Sequence, residues 1–384
     1  MTAPRRLLTI GHSYCVRRNR ELAEAIHAAS RGAWQVTVVA PRAFPGDLGP
    51  IITEHDPAEQ ADLHTLPVHG ARWIHLMRYG NGLRPLLAQP WDVVHCWEEP
   101  YILSAAQVAR ACHPSSALVY ATFQNIAKRY LPPFGAVERF SMRRARGWVA
   151  FGWSIASTLE RRAAYGARPH AVIPFGVDLA RFTPRGVAGS REFTGLPWDD
   201  DAIPVVGFLG RFIEAKGIDV LLTALRELDR RGVAWRALFV GGGPLDARLR
   251  AFAAERGGRV HVATGVRHDE VPRYLRAMDV LCAPSQSTPA WREQFGRMIV
   301  EAFACGVPVV GSDSGEIPYV IGEAGVVVGE HDQVGWTEQL GRLLTDAGAR
   351  RALGEQGRRR AETEFAWPVV AARHLAFFER ELGI

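Results

Sequence analysis

No stretch of this 384-residue chain approaches the roughly 18 consecutive apolar residues of a membrane-spanning helix. The apolar run near its start, Leu7 to Ile10, is far shorter than a signal peptide requires. Cysteine is scarce. Cys15, Cys96, Cys112, Cys282 and Cys305 are odd in number, widely spaced and free of any C-x-x-C pair, which excludes a disulfide framework and points to a reducing cytosol. Membrane contact is therefore expected to be peripheral at most, at the inner face. There is no H-E-x-x-H and no Cys/His cluster, so neither a metal nor another cofactor is expected. The one D-x-D, within Asp199-Asp200-Asp201, precedes a predicted strand instead of following one and reads as a solvated turn. "GSDSGE" is not the G-x-S-x-G of a nucleophile elbow. Lys plus Arg (46) exceeds Asp plus Glu (40) by only 6, and no nucleic-acid-binding motif accompanies the excess. Nucleic acid is thus excluded as a partner, while small anionic ligands suit the balance.

Hydrophobic residues make up 47% of the chain, enough for packed cores, and a single core seldom grows beyond roughly 250–300 residues. Two domains follow. Short apolar runs alternate with amphipathic stretches throughout, the rhythm of parallel sheets covered by helices. Predicted strands in the first half are Leu7–Ile10, Gln35–Ala40, Asp92–Cys96, Ala117–Phe123, Trp148–Phe151 and Ala171–Pro174, with a helix near Asn19–Ser30. Between Pro174 and Pro204 the periodicity fails and Pro, Gly and Asp accumulate, as in an inter-domain linker. Predicted strands then resume at Val205–Leu209, Ala237–Val240, Val260–Ala263, Val280–Ala283, Val307–Gly311 and Gly325–Val328. Predicted helices lie at Gly217–Arg231, Leu245–Arg256, Val271–Ala277 and Gly296–Ala304. A helical tail reads as Trp336–Asp346, Ala349–Glu364 and Trp367–Leu382. The division expected is 1–180, 181–366 and a terminal helix over 367–384.

The segment "STPAWREQFGRMIVEAFACGVPVVGSDSGEIP" carries the sharpest chemical signal. An eight-residue step from Glu293 to Glu301 spans roughly 12 Å along a helix, so the two carboxylates can grip separate hydroxyl-bearing parts of one ligand. The helix start at Phe295-Gly296 offers amides to an anion between them. A nucleotide sugar has that shape. The alternative for an isolated pair is a capping Glu293 and a solvated Glu301. In "VVGFLGRFIEAKGIDVLL" a strand ends at Gly210, and Arg211 and Lys216 follow where open parallel sheets bind ligands. Two cations there suit a diphosphate, although a solvated loop carries the same residues. Gly265-Val266-Arg267 is placed to meet a base edge. In the first half Gly11-His12, "DVVHCWEEP" and "YATFQNI" follow strands, which nominates His12, Glu98, Gln124 and Asn125; His95 reads as a buried, satisfied histidine. Arg139, Arg143, Arg144 and Arg146 near Phe134, Phe140 and Met142 read either as a membrane-facing patch or as an ordinary arginine-rich helix face.

Gly210-Arg211, Lys216-Gly217, the Glu293-to-Glu301 pair with Phe295-Gly296, and "PFGVD" together resemble the fourth family of retaining glycosyltransferases. The likeness is strongest from about Val205 to Val328. It implies a GT-B fold, two Rossmann-like doubly wound parallel-sheet domains facing a cleft, and transfer of a hexose-type sugar from a nucleotide diphosphate donor to a hydroxyl acceptor without metal. It also implies that the last helix crosses back to the first domain. Arg211 and Lys216 then match the cations on the diphosphate, Glu293 the carboxylate at the transferred sugar and Glu301 the ribose ligand. Gln294, Phe295 and Gly296 match the helix-start contacts, and Val266 and Arg267 the border of the base. Gly210 and Gly11 complete the donor side; His12, Glu98, Gln124 and Asn125 line the acceptor side. The chain departs from the pattern at Gln124 and Trp97, where relatives carry histidines, and at Phe175, where they carry asparagine. The rival readings are a GT-B sugar-nucleotide epimerase, or a nucleotide-sugar-binding protein without turnover.

Overall fold

The computed structural model describes residues 3–46, 49–186, 195–198 and 202–384; the Asp199-Asp200-Asp201 turn lies outside these. The chain divides into two units, one formed by 1–174 with 367–384 and the other by 175–366. The first carries a seven-stranded sheet: β1 (Arg5–Ile10), β2 (Trp34–Pro41), β3 (Asp62–Leu66), β4 (Val93–Cys96), β5 (Ala117–Thr122), β6 (Gly147–Ala150) and β7 (His170–Val172). Their order across the sheet is 7-6-5-4-1-2-3, and every pairing is parallel. The second unit repeats the plan with β8 (Val205–Arg211), β9 (Arg236–Gly242), β10 (Val260–Thr264), β11 (Val280–Ala283), β12 (Val309–Ser312) and β13 (Val326–Val328), in the order 10-9-8-11-12-13, again all parallel. Both are doubly wound Rossmann-like sheets whose winding reverses beside the first strand.

Burial explains why these segments are strands. All of β4, β5, β6 and β11 is buried on both faces, and such strands read as unbroken apolar runs. β3 escapes that pattern: "DLHTL" is an edge strand, only half-buried, and the apolar signal that marks its neighbours is missing. The strand expected from Val307 begins instead at Val309, because Pro308 has no N–H to donate. Two helices start earlier than their periodicity suggests. The Asp332 side chain accepts from Gly335 N at 2.9 Å and begins Gln333–Thr345; Asp346 accepts from Ala349 N at 2.8 Å and begins Ala347–Arg360.

The second core shows how helical spacing becomes packing. The helix Ile218–Arg230 turns Ile218, Leu221, Leu222, Leu225 and Leu228 to one face, where they meet Trp336, Leu340 and Leu343 of the helix Gln333–Thr345. The segment that reads as a linker is partly core: Phe175, Val177 and Phe182 are buried, and Val177 N donates to Phe365 O at 2.7 Å. Residues 175–180, expected in the first domain, therefore belong to the second.

The terminal helix Trp367–Ala376 packs on the first unit. Trp367 Nε1 donates to Glu21 at 2.8 Å, and beyond the helix Glu379 pairs with Arg5 at 2.8 Å. Its His374 and His95 of β4 are both fully buried, with ring centroids 5.5 Å apart. Trp97 Nε1 donates to His95 Nδ1 and His374 Nδ1 contacts the Val370 carbonyl, yet neither Nε2 has a hydrogen-bond partner among the described residues. His95 is thus buried but not fully satisfied. Burial lowers both imidazoles, His374 from 6.5 to about 4 and His95 well below its usual value, so both are neutral in the fold.

Such depressed values give stability that is complete above about pH 6.5 and lost as pH falls, because the unfolded chain takes up the protons first. The contribution of His374 is on the order of 3 kcal/mol. Thermal unfolding followed from about pH 8 to about pH 5 is expected to show a smaller loss of stability in His374→Leu than in the unaltered chain. An identical pH slope in the two would contradict the assignment.

Candidate functional site

In the second unit the winding reverses between β8 and β11, so the loops leaving their carboxyl ends run in opposite directions and leave a crevice between them. β8 ends at Arg211, and a 3₁₀ turn over Glu214–Lys216 leads to Gly217. Gly217 has φ +67°, and a Cβ there would sit 1.7 Å from the Pro284 carbonyl oxygen just beyond β11. Only glycine allows the turn to lie against that loop. The approach brings Lys216 Nζ to 2.5 Å from Glu293 Oε2, and Ser285 donates its hydroxyl to the same oxygen at 2.9 Å. Lys216 also lies 5.4 Å from the centre of the Trp291 ring. Glu293 is fixed from behind: Glu316 N donates to its carbonyl at 3.0 Å, and a Cβ on Gly315 (φ +58°) would meet that oxygen at 2.1 Å. The carboxylate is thereby held towards Lys216 and Ser285. A largely buried ion pair is costly to assemble and marks a site where charge has a use.

Arg211 is exposed and pairs with no carboxylate among the described residues; it stands at the same strand end, beside Gly242 of β9. Glu301 is buried on the helix Arg297–Ala304, with His268 Nε2 at 3.8 Å, just after Val266 and Arg267. It is not the solvated residue that its spacing also allowed. Val266 is half-buried, and the exposed Arg267 guanidinium binds Asp269 at 2.7 Å. Gly296 precedes the helix without a side-chain cap, and Gln294 is exposed. Phe295 is an anchor, packed on Phe175 (5.3 Å) and Phe365 (6.1 Å), while Arg297 lies 4.2 Å over the Phe175 ring. The fold thus joins Lys216, Glu293 and Ser285 directly and Glu301 with His268 separately.

The first unit places its own pair at the matching reversal, between β1 and β4. Gly11 leaves β1 against Trp97, and a Cβ on it would lie 3.0 Å from that residue's Cβ. Next, His12 N donates to Glu98 Oε1 at 2.7 Å and His12 Nδ1 lies 2.6 Å from Glu98 Oε2. A carboxylate only accepts, so Nδ1 carries the proton and Nε2 faces away from Glu98. Tyr79 donates its hydroxyl to Glu98 Oε1 at 2.7 Å. Burial pulls the His12 imidazole down, but the adjacent Glu98 carboxylate outweighs it and leaves the pKa above its usual value. Glu98 is fully buried with three donors on its two oxygens, and two of them come from His12.

Gln124 is organised by a residue that sequence reading passed over. Glu99 accepts from Gln124 Nε2 (2.9 Å), Thr122 Oγ1 (2.9 Å) and Phe123 N (2.7 Å), and burial pushes its pKa up. The signal was the doubled glutamate of "HCWEE", only the first of which was nominated. Tyr130 donates to the Gln124 carbonyl, and Asn125 is buried beside it in sequence. The arginine cluster divides: Met142 is core, Arg144 donates to the His113 carbonyl (2.6 Å) and Arg146 to that of Leu382 (2.8 Å). Arg139, Phe140 and Arg143 remain exposed, and Phe134 is half-buried. No helix among the described residues is long and apolar enough to cross a membrane.

Comparison with known proteins agrees with this architecture. The family model of the group 1 glycosyl transferases matches residues 198–360. The 2-deoxystreptamine glucosyltransferase of Streptomyces kanamyceticus is 31% identical over 277 residues, 71% of this chain and 70% of that one. A GDP-mannose-dependent alpha-(1-6)-phosphatidylinositol monomannoside mannosyltransferase of Mycolicibacterium smegmatis is 36% identical over 207 residues, 52% of this chain and 54% of that one. The chain spans about half the length of several curated relatives that it matches. In fold it is similar to the sucrose-phosphate synthase of Thermosynechococcus elongatus, with a TM-score of 0.73 at 22% identity over 98% of each chain. Two Rossmann-like sheets and a full-length likeness of this kind place the chain in the group 1 glycosyltransferases, the fourth family, of GT-B fold.

Proposed function

We propose that this chain is a retaining glycosyltransferase that moves a hexose-type sugar from a nucleotide diphosphate sugar to a hydroxyl acceptor without a metal. The observation that carries the reading is the Lys216–Glu293–Ser285 cluster at the reversal between β8 and β11. Relatives named as a glucosyltransferase and as a GDP-mannose-dependent mannosyltransferase favour a hexose donor of this class.

Breaking the bond between the anomeric carbon and the phosphate oxygen develops positive charge on the sugar and negative charge on the departing diphosphate. Fixed cations at the phosphate stabilise that state most, and Lys216, Arg211 and the uncapped helix start at Gly296 supply them. Glu293, anchored by Lys216 and Ser285, orients the sugar; Glu301 with His268 holds the ribose. The acceptor oxygen bonds to the anomeric carbon on the face that the phosphate leaves, and the departing phosphate oxygen takes the acceptor proton. Retention follows from that geometry. His12, held by Glu98, presents Nε2 as a hydrogen-bond acceptor to a neighbouring hydroxyl of the acceptor and so orients it, while the reacting hydroxyl's own proton goes to the phosphate; Gln124 supports the same side.

Lys216→Ala and Arg211→Ala should each lower turnover by about 100-fold or more, the cost of one transition-state donor; near-unaltered rates in both would remove the proposed role. Turnover is expected to survive chelation by EDTA, and its abolition with recovery on adding magnesium would overturn the metal-free mechanism. The neutral His12 ring is the active form, so activity should rise with pH through its pKa. Glu98→Gln removes the charge that raises this pKa, and the acid limb of the pH–rate profile should move to lower pH. A limb that stays in place would exclude His12.

A further inference from the structure

The first unit carries a groove of about 500 Å³ that no part of the donor reading uses. Trp73, Leu76 and Leu131 line it, yet they are 71%, 46% and 80% exposed. Single exposed apolar side chains are ordinary; three large ones converging on one concavity form a patch that marks a binding surface. The groove is built, not incidental. His75 sits at 5.1 Å from Phe134 and 5.5 Å from Tyr101, and Tyr130 stacks on Tyr101 at 4.3 Å and 20°. Lys128 and Arg129 also line it; both are exposed, and among the described residues neither makes an ion pair.

Two features identify the occupant. Apolar walls with two uncompensated cations at one side are complementary to an apolar chain or ring that carries one anionic group, a phosphate above all. The groove also ends at the reaction side: Tyr130, one of its lining residues, donates its hydroxyl to Gln124, which Glu99 fixes from the other side. We infer that this groove binds the apolar, anionic portion of the acceptor, which is therefore an amphiphile whose hydroxyl is delivered towards Gln124. The inference rests on the transferase reading for the identity of the ligand as acceptor, while the binding itself is independent of it.

The test uses the full chain and decyl phosphate below its micelle concentration, titrated calorimetrically. Binding should weaken by about ten-fold or more in Trp73→Ser and Leu131→Asp, and similarly in Lys128→Glu/Arg129→Glu. Inorganic phosphate alone and neutral decyl maltoside should bind more weakly than decyl phosphate. Unchanged affinity in all three variants overturns the site, and equal affinity for decyl maltoside overturns its anionic half. Binding to phosphatidylglycerol vesicles without binding to the monomeric amphiphile would make the patch a membrane contact and sink the acceptor groove. Thermal stabilisation by UDP and GDP, measured on the same proteins, reports the donor site separately. Its absence alongside decyl phosphate binding would fault the transferase reading and not the groove.

Discussion

The geometry of this protein depends on one constraint: in each parallel sheet the winding reverses beside the first strand, so two neighbouring carboxyl ends release loops in opposite directions. Loops that diverge leave a crevice, and side chains on them can meet only there. In the second unit the meeting is Lys216 with Glu293; in the first it is His12 with Glu98. These pairs occupy the same topological position in two units of unrelated local sequence, and each couples a titratable cation to a buried carboxylate.

The two pairs differ in what holds them. Glu293 is a local product of backbone, trapped between Gly315, the Glu316 amide and the close approach of Gly217 to Pro284. Glu98 is instead held through its carboxylate, by the His12 amide and ring and the Tyr79 hydroxyl. Aromatic packing supports the first unit at the position where the family resemblance leads one to expect histidine: Trp97 lies 4.7 Å from Phe151 and 5.6 Å from Tyr14, and donates to His95. Phe175 likewise fills with core the position where the resemblance leads one to expect asparagine, against Phe295 and beneath Arg297. These departures replace polar contacts by packing beside the site, and leave the Lys216–Glu293 contact untouched.

Much of the fold was legible because buried parallel strands are short apolar runs and amphipathic helices repeat at 3.6 residues. The strands of both sheets other than β3 were readable on that basis, as was the cationic turn after β8. Less was legible where polarity hides structure. β3 is a half-polar edge strand, Phe182 sits in a segment rich in Pro and Gly, and Glu99 is a half-buried carboxylate indistinguishable in sequence from an exposed one. The arginine cluster divides for a related reason: Arg144 and Arg146 donate to carbonyl groups that lie 31 and 236 residues away in the chain.

By itself, the sequence determined the element types, the repetition of one α/β plan and the glycines that let cationic loops approach strand ends, because these follow from local periodicity and backbone freedom. Tertiary structure alone decided which carboxylate each cation meets, that Glu98 holds His12 together with Tyr79, and that Trp73, Leu76 and Leu131 converge on one groove. Such pairings join residues tens of positions apart, and strand order, not spacing along the chain, sets the distance between them.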